Sequence, residues 1–163
     1  VYGKGWGSYD FYDNNGGSNY KASFRVGSFS SSDGDWNTAS VWTNSSVPAS
    51  SDNVVINSNI TISSDVSSER TEIRSGNTVT ISTGASLTVS GQVKNWGNIV
   101  LESSSSDYSS IVASEQAGGG TNKYKRYVAS SATADLISAP FAGENFSDLL
   151  SRCSGLVPIL FAL

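Results

Sequence analysis

Three short apolar triplets recur along the middle of this chain at nearly constant spacing. They are Ile60-Thr61-Ile62, Val79-Thr80-Ile81 and Ile99-Val100-Leu101, and the two intervals between them are almost equal. A second series steps from Ile73 to Val93 by a matching interval. Self-similarity at such a period marks a solenoid, in which each repeat buries the apolar face of the one before. Within each triplet the pattern has period two, so the outer residues point inward and the middle one faces water. A coil of about 20 residues is too short for a strand plus a long helix, and it suits three short strands joined by tight turns. The expected fold is all-β: a short parallel β-helix with flanking β segments, its core built on Ile60, Ile62, Val79, Ile81, Ile99 and Leu101.

Turn chemistry punctuates the repeat at Ser75-Gly76-Asn77, Thr83-Gly84-Ala85, Ser90-Gly91 and Asn95-Trp96-Gly97-Asn98. Glycine and asparagine tolerate the left-handed backbone that tight corners use. Three regions follow: an aromatic, glycine-rich arm over residues 1–33, a solenoid over 34–116, and a C-terminal β segment over 117–163. Within the arm, Asn14-Asn15-Gly16-Gly17 signals a hairpin turn, with a strand expected from Tyr20 to Phe29. Gly118-Gly119-Gly120 reads as a flexible break. Beyond it, Tyr124 to Val128 and Leu136-Ile137 read as strands, and Glu144 to Arg152 as one short helix.

Serine, threonine and asparagine supply 57 of the 163 residues, while only 15% are charged, so hydroxyls and amides keep the surface soluble. Such a surface is common in secreted β-rich proteins, and an extracellular or cell-surface location is expected. A net charge of −4 argues against nucleic acid as a partner. Lys123, Lys125 and Arg126, interleaved with Tyr124 and Tyr127, form one basic cluster and read best as the polar face of a strand. No stretch reaches the roughly 18–20 apolar residues that span a bilayer. Cys153 is the lone cysteine, so no internal disulfide forms, and it has no histidine to activate it.

A solenoid has two open ends that something bulky must cover. Trp36 and Trp42, just before the first triplet, suit that role; together with Trp96 they are also candidate sugar-stacking aromatics. The tail carries Leu156, Val157, Ile159, Leu160, Phe161 and Leu163, with Pro158 among them, and is the candidate assembly strand. A nearly all-apolar run left in water would aggregate, so a partner copy or a neighbouring domain should cover it.

Gly34-Asp35-Trp36, Trp42, Val47-Pro48 and Asp52-Asn53-Val54-Val55-Ile56 resemble the opening of β-helical modules in large secreted proteins of the Bacteroidota. Ser75 to Val89 is similar to their coil repeats, and Tyr124 to Val128 with Leu136 to Pro140 to the segment that often follows. The resemblance covers roughly residues 34–150 and implies export to the cell surface, commonly by type IX secretion. The apolar tail departs from that pattern.

Enzymatic β-helices that act on acidic polysaccharides need paired carboxylates on stacked coils, or a base with a charge-neutralising cation. The coil acids Asp65, Glu69, Glu72 and Glu102 do not recur one coil apart, and histidine is absent. No catalysis, metal or cofactor is expected. A ladder of regularly paired threonines, as ice binding needs, is also missing. The reading is a non-catalytic structural protein, an adhesin, stalk or filament subunit joining other copies head to tail. The alternative is a carbohydrate-binding module that contacts surface polysaccharide.

Overall fold

A computed structural model describes residues 27–127 in full and residues 8–15 and 18–25 as paired backbone. The chain divides after Tyr127, and the second unit, from Val128, lies outside the described residues. The sequence-based strand at Leu136-Ile137, the helix over 144–152, the reading of Cys153 and the apolar tail therefore fall outside them.

Strands β1 (Ser8–Asn15) and β2 (Ser18–Arg25) form an antiparallel hairpin in which Asn15 pairs with Ser18. The sequence between them is Gly16-Gly17, the composition that a two-residue hairpin loop favours. Strand β2 ends at Arg25, whereas the sequence pattern carries this strand on to Phe29.

The rest is a parallel β-solenoid of about four turns. Its first coil contains β3 (Ser28–Phe29) and β4 (Gly34–Asp35). The second contains β5 (Asn53–Ile56), β6 (Ile60–Ile62) and β7 (Val66–Ser68). The third contains β8 (Arg70–Ile73), β9 (Thr78–Ile81) and the first half of β10 (Ser86–Asn95). The second half of β10, β11 (Asn98–Leu101) and the first half of β12 (Ser110–Ala117) make the fourth. The end of β12 and β13 (Thr121–Tyr124) start a fifth. Because Ser28 pairs with Val54, the solenoid begins inside the stretch assigned from sequence to the N-terminal arm.

Three faces result. On one, β4, β6, β9, β11 and β13 stack in register. Ile60 pairs with Val79 and Val79 with Ile99, while Ile62, Ile81 and Leu101 form the parallel column. All six are at most 5% exposed, so the columns of the sequence pattern are the core of this face. Outward-facing Thr61, Thr80 and Val100 lie between them.

On the second face, β3, β5, β8 and the ends of β10 and β12 stack. Here the register departs from the alignment of Ile73 with Val93 expected from sequence: Ile73 pairs with Asn95, and Val93 pairs with Thr71. Coil lengths vary along this face, so its inward columns are Val54–Thr71–Val93 and Ile56–Ile73–Asn95. Polar members of these columns are satisfied inside. Thr71 Oγ1 lies 2.8 Å from Ser68 Oγ, and Asn95 Nδ2 donates to the Thr121 carbonyl at 3.1 Å. A buried polar group without such partners would cost about 1–3 kcal/mol. The third face joins β7 and the first halves of β10 and β12, with Val66, Leu87 and Ile111 in one inward column.

The glycine triplet is not a break. Strands β12 and β13 continue the solenoid on both sides of it. A Cβ at Gly118 would sit on the Asn95 carbonyl oxygen, and one at Gly120 on the Gly97 carbonyl oxygen. Glycine is needed there because two backbones stack at a corner closer than any side chain permits.

Candidate functional site

The two ends of the solenoid differ, and the difference follows from local sequence. At the N-terminal end, the amide of Trp36 donates to the Thr61 carbonyl at 2.8 Å, which carries the indole onto the end of the core. A 3-10 turn, Ala39–Val41, then reverses the chain. The Trp42 Nε1–H donates to the Trp36 carbonyl at 2.8 Å, and the two rings meet edge to face with centroids 5.1 Å apart. Both side chains are 1% exposed, so neither offers a ring face for a sugar. Residues 41–43 also run antiparallel along β3: Ser31 N–H donates to Val41 O and Thr43 N–H to Phe29 O. That segment covers a strand edge which would otherwise invite another chain.

Asp33, three residues before Trp36, is tied to the next coil. It accepts from the Asn59 amide at 2.7 Å and from its side-chain Nδ2 at 3.1 Å. These bonds favour the ionised form and hold the Asp33 carboxyl below its ordinary value of 3.8, backbone donation being the larger cause. A depressed carboxylate stabilises the fold above the unfolded-state value near 3.9, and the contribution is lost as pH falls through the lower folded value. Asp33→Asn is therefore expected to flatten the acid limb of the stability–pH profile below about pH 4, read by urea denaturation. An acid limb identical to that of the parent chain would show that Asp33 is not coupled to folding.

The other end is formed by the last described strands. Strands β12 and β13 have no partner on their outer edges among the described residues, and Val112 is 58% exposed. The exposed aromatics among the described residues also lie here. Trp96 projects from the corner between the second and first faces, 47% exposed, with Lys94 Nζ 5.5 Å from its ring centroid. Tyr108 and Tyr127, 64% and 48% exposed, flank Ser103 at the opposite corner. Ser103 bridges to Tyr108, and its Oγ accepts from the Tyr127 amide. Lys125 pairs with Glu102 between neighbouring coils.

Of the three tryptophans singled out from sequence, the fold thus buries two together and leaves Trp96 exposed. The grouping of Tyr108 with Tyr127 has no sequence signal, because it depends on coil register across a serine loop. The coil acids do not converge: Asp65 accepts from Ser86 Oγ at 2.8 Å, and Glu72 pairs with Arg74 at 3.0 Å. Among the described residues no three Asp, Glu, Cys or His side chains gather as a metal would need, and no helix is long and apolar enough to cross a membrane.

A family model described as a domain of unknown function, DUF8693, matches residues 28–155, and the chain belongs to that family. The match begins at the first solenoid strand and stops just before the apolar run that opens at Leu156. No curated protein and no solved structure matches the chain.

Proposed function

We propose that this member of the DUF8693 family is a non-catalytic, extracellular structural protein that joins other copies of itself end to end. The observation that carries the reading is the asymmetry of the solenoid: one end is plugged by Trp36 and Trp42, while the other leaves β12 and β13 unpartnered among the described residues. Charge follows the same axis. Residues 27–91 hold six carboxylates against two arginines, and residues 92–127 hold three against four cations. A net −4 over residues 27–91, towards the cap, and +1 over residues 92–127, towards β12 and β13, favour heterologous contact, which repeats along an axis instead of closing into a dimer.

The apolar tail is the candidate assembly strand, and the family match ends before it, as expected of an element appended to the domain. Deleting residues 156–163 is expected to abolish concentration-dependent assembly in negative-stain microscopy and light scattering, with the β-sheet circular dichroism unchanged. Loss of the fold in the truncated chain would place the tail in its own core and remove this reading. Raising salt about tenfold shortens the screening length roughly threefold, and should weaken assembly if the charged ends meet.

A carbohydrate-binding module of a larger secreted protein is the second reading. It is favoured by the exposed indole of Trp96, which contrasts with the buried rings of Trp36 and Trp42.

A further inference from the structure

The exposed aromatics and several cations of the solenoid gather on the same two coils. Trp96 stands immediately before β11, and Tyr108 and Tyr127 flank Ser103 immediately after it. Between these corners, outward-facing Asn98 pairs in register with Thr121, and Val100 with Lys123. From residue 96 to residue 103 the chain spans at most about 23 Å, at about 3.3 Å per residue. A ring at each end of a flat face, with amide, hydroxyl and ammonium groups between, matches an extended chain of sugar rings lying across the coils. Indole and phenol faces pack on the C–H faces of pyranose rings, while the polar groups between them reach hydroxyls.

Charge selects the class of sugar. Lys94 lies against the Trp96 ring, and Glu72, its register partner on β8, pairs with Arg74; Lys123 stands exposed on β13. These ammonium groups sit in the stretch of the solenoid whose net charge is positive, in a chain that is −4 overall. We propose that this face and its Trp96 corner, through Trp96, Lys94, Lys123 and Tyr127, bind an acidic polysaccharide of the uronate type. The indole stacks on a sugar ring, and the lysines pair with its carboxylates. The inference rests on the carbohydrate-binding reading and names its ligand class; it is independent of self-assembly.

The test is affinity electrophoresis and titration calorimetry of the full chain with polygalacturonate, with neutral dextran and with a single-stranded oligonucleotide. Binding to polygalacturonate alone is expected, weakened at least about fivefold in Trp96→Ala, as the loss of one stacked ring implies. Lys123→Glu, on an exposed strand position, is expected to weaken polygalacturonate binding and make it less salt-dependent. Circular dichroism of both variants should match the parent, since neither side chain is buried. Trp96-dependent binding to dextran as strong as to polygalacturonate would overturn the acidic ligand and leave the carbohydrate reading standing. No binding to either glycan would overturn both. Equal binding to the oligonucleotide would show charge attraction without sugar stacking and also overturn the proposal, as would undiminished binding by Trp96→Ala.

Discussion

Val79→Asp is expected to leave the solenoid unfolded at neutral pH. Val79 has no exposed surface, and its strand β9 is paired on both sides, with Ile60 in register below it and Ile99 above. A carboxylate there can neither reach water nor find a cation, because both lateral neighbours are aliphatic. Burying it ionised costs several kcal/mol, and burying it protonated still leaves its hydroxyl and carbonyl without partners. Either cost rivals the whole stability of a small domain, about 5–15 kcal/mol. Val79→Ala removes two methyl groups without adding charge and should cost roughly 2 kcal/mol, leaving a folded chain with a lower urea midpoint. The sign of the pH effect separates the two variants. A buried acid has a raised value in the folded state, so Val79→Asp should regain stability as pH falls below it, whereas Val79→Ala should not. Circular dichroism and denaturation at pH 4 and pH 7 would read this. A Val79→Asp chain as stable as Val79→Ala at pH 7 would mean that the column is hydrated.

Val79 is identifiable as a core position from sequence because of coil length. On its face the coils that link β6, β9 and β11 are nearly equal in length, so triplets of period two repeat visibly there and the inward columns can be read off directly. The neighbouring face hides the same architecture. Thr71 follows Val54 at a shorter interval than the one at which Val93 follows Thr71, so no single period aligns them. Its interior also admits Thr71 and Asn95, and Thr71 meets Ser68 of the third face; these bonds exist only in three dimensions. A hydropathy pattern places all three outside. The glycine triplet at 118–120 misleads for a related reason. Glycine marks flexible loops and tight backbone stacking alike, and only the carbonyls of Asn95 and Gly97 beside a missing Cβ tell the two apart. The candidate site divides the same way. The capping role of Trp36 and Trp42 follows from their position just before the first repeat, whereas the grouping of Tyr108, Tyr127 and Lys123 around β11 needs the register between coils.

Trp36→Ala is expected to destabilise the chain by about 3–5 kcal/mol and to release its N-terminal end first. The indole is 1% exposed, with Trp42 standing edge-on against it. Gly34 pairs with Ile60 and Asp35 with Thr61, so Trp36 continues the register opposite Ile62 and closes that column. Truncation leaves a cavity at an open end of the solenoid, where water can enter, and exposes the apolar column that begins with Ile62. The bond from Trp42 Nε1 to the Trp36 carbonyl survives this change, so Trp42→Phe isolates that bond and should cost only about 1–3 kcal/mol. The two residues touch, so the double variant should lose less than the sum of the singles. Stability in a solenoid is carried by contacts between neighbouring coils, and damage at one end therefore propagates inward by steps. Hydrogen exchange on Trp36→Ala should show the amides of Gly34 and Trp36, which bond to Asn59 and Thr61, losing protection before those of β9 and β11. With the cap gone, the edge of β3 that residues 41–43 now cover becomes available to other chains, and oligomers larger than those of the parent should appear on gel filtration. Uniform loss of protection along all coils would instead mean that the tryptophan pair stabilises the domain as one cooperative block, with no separate role at its end.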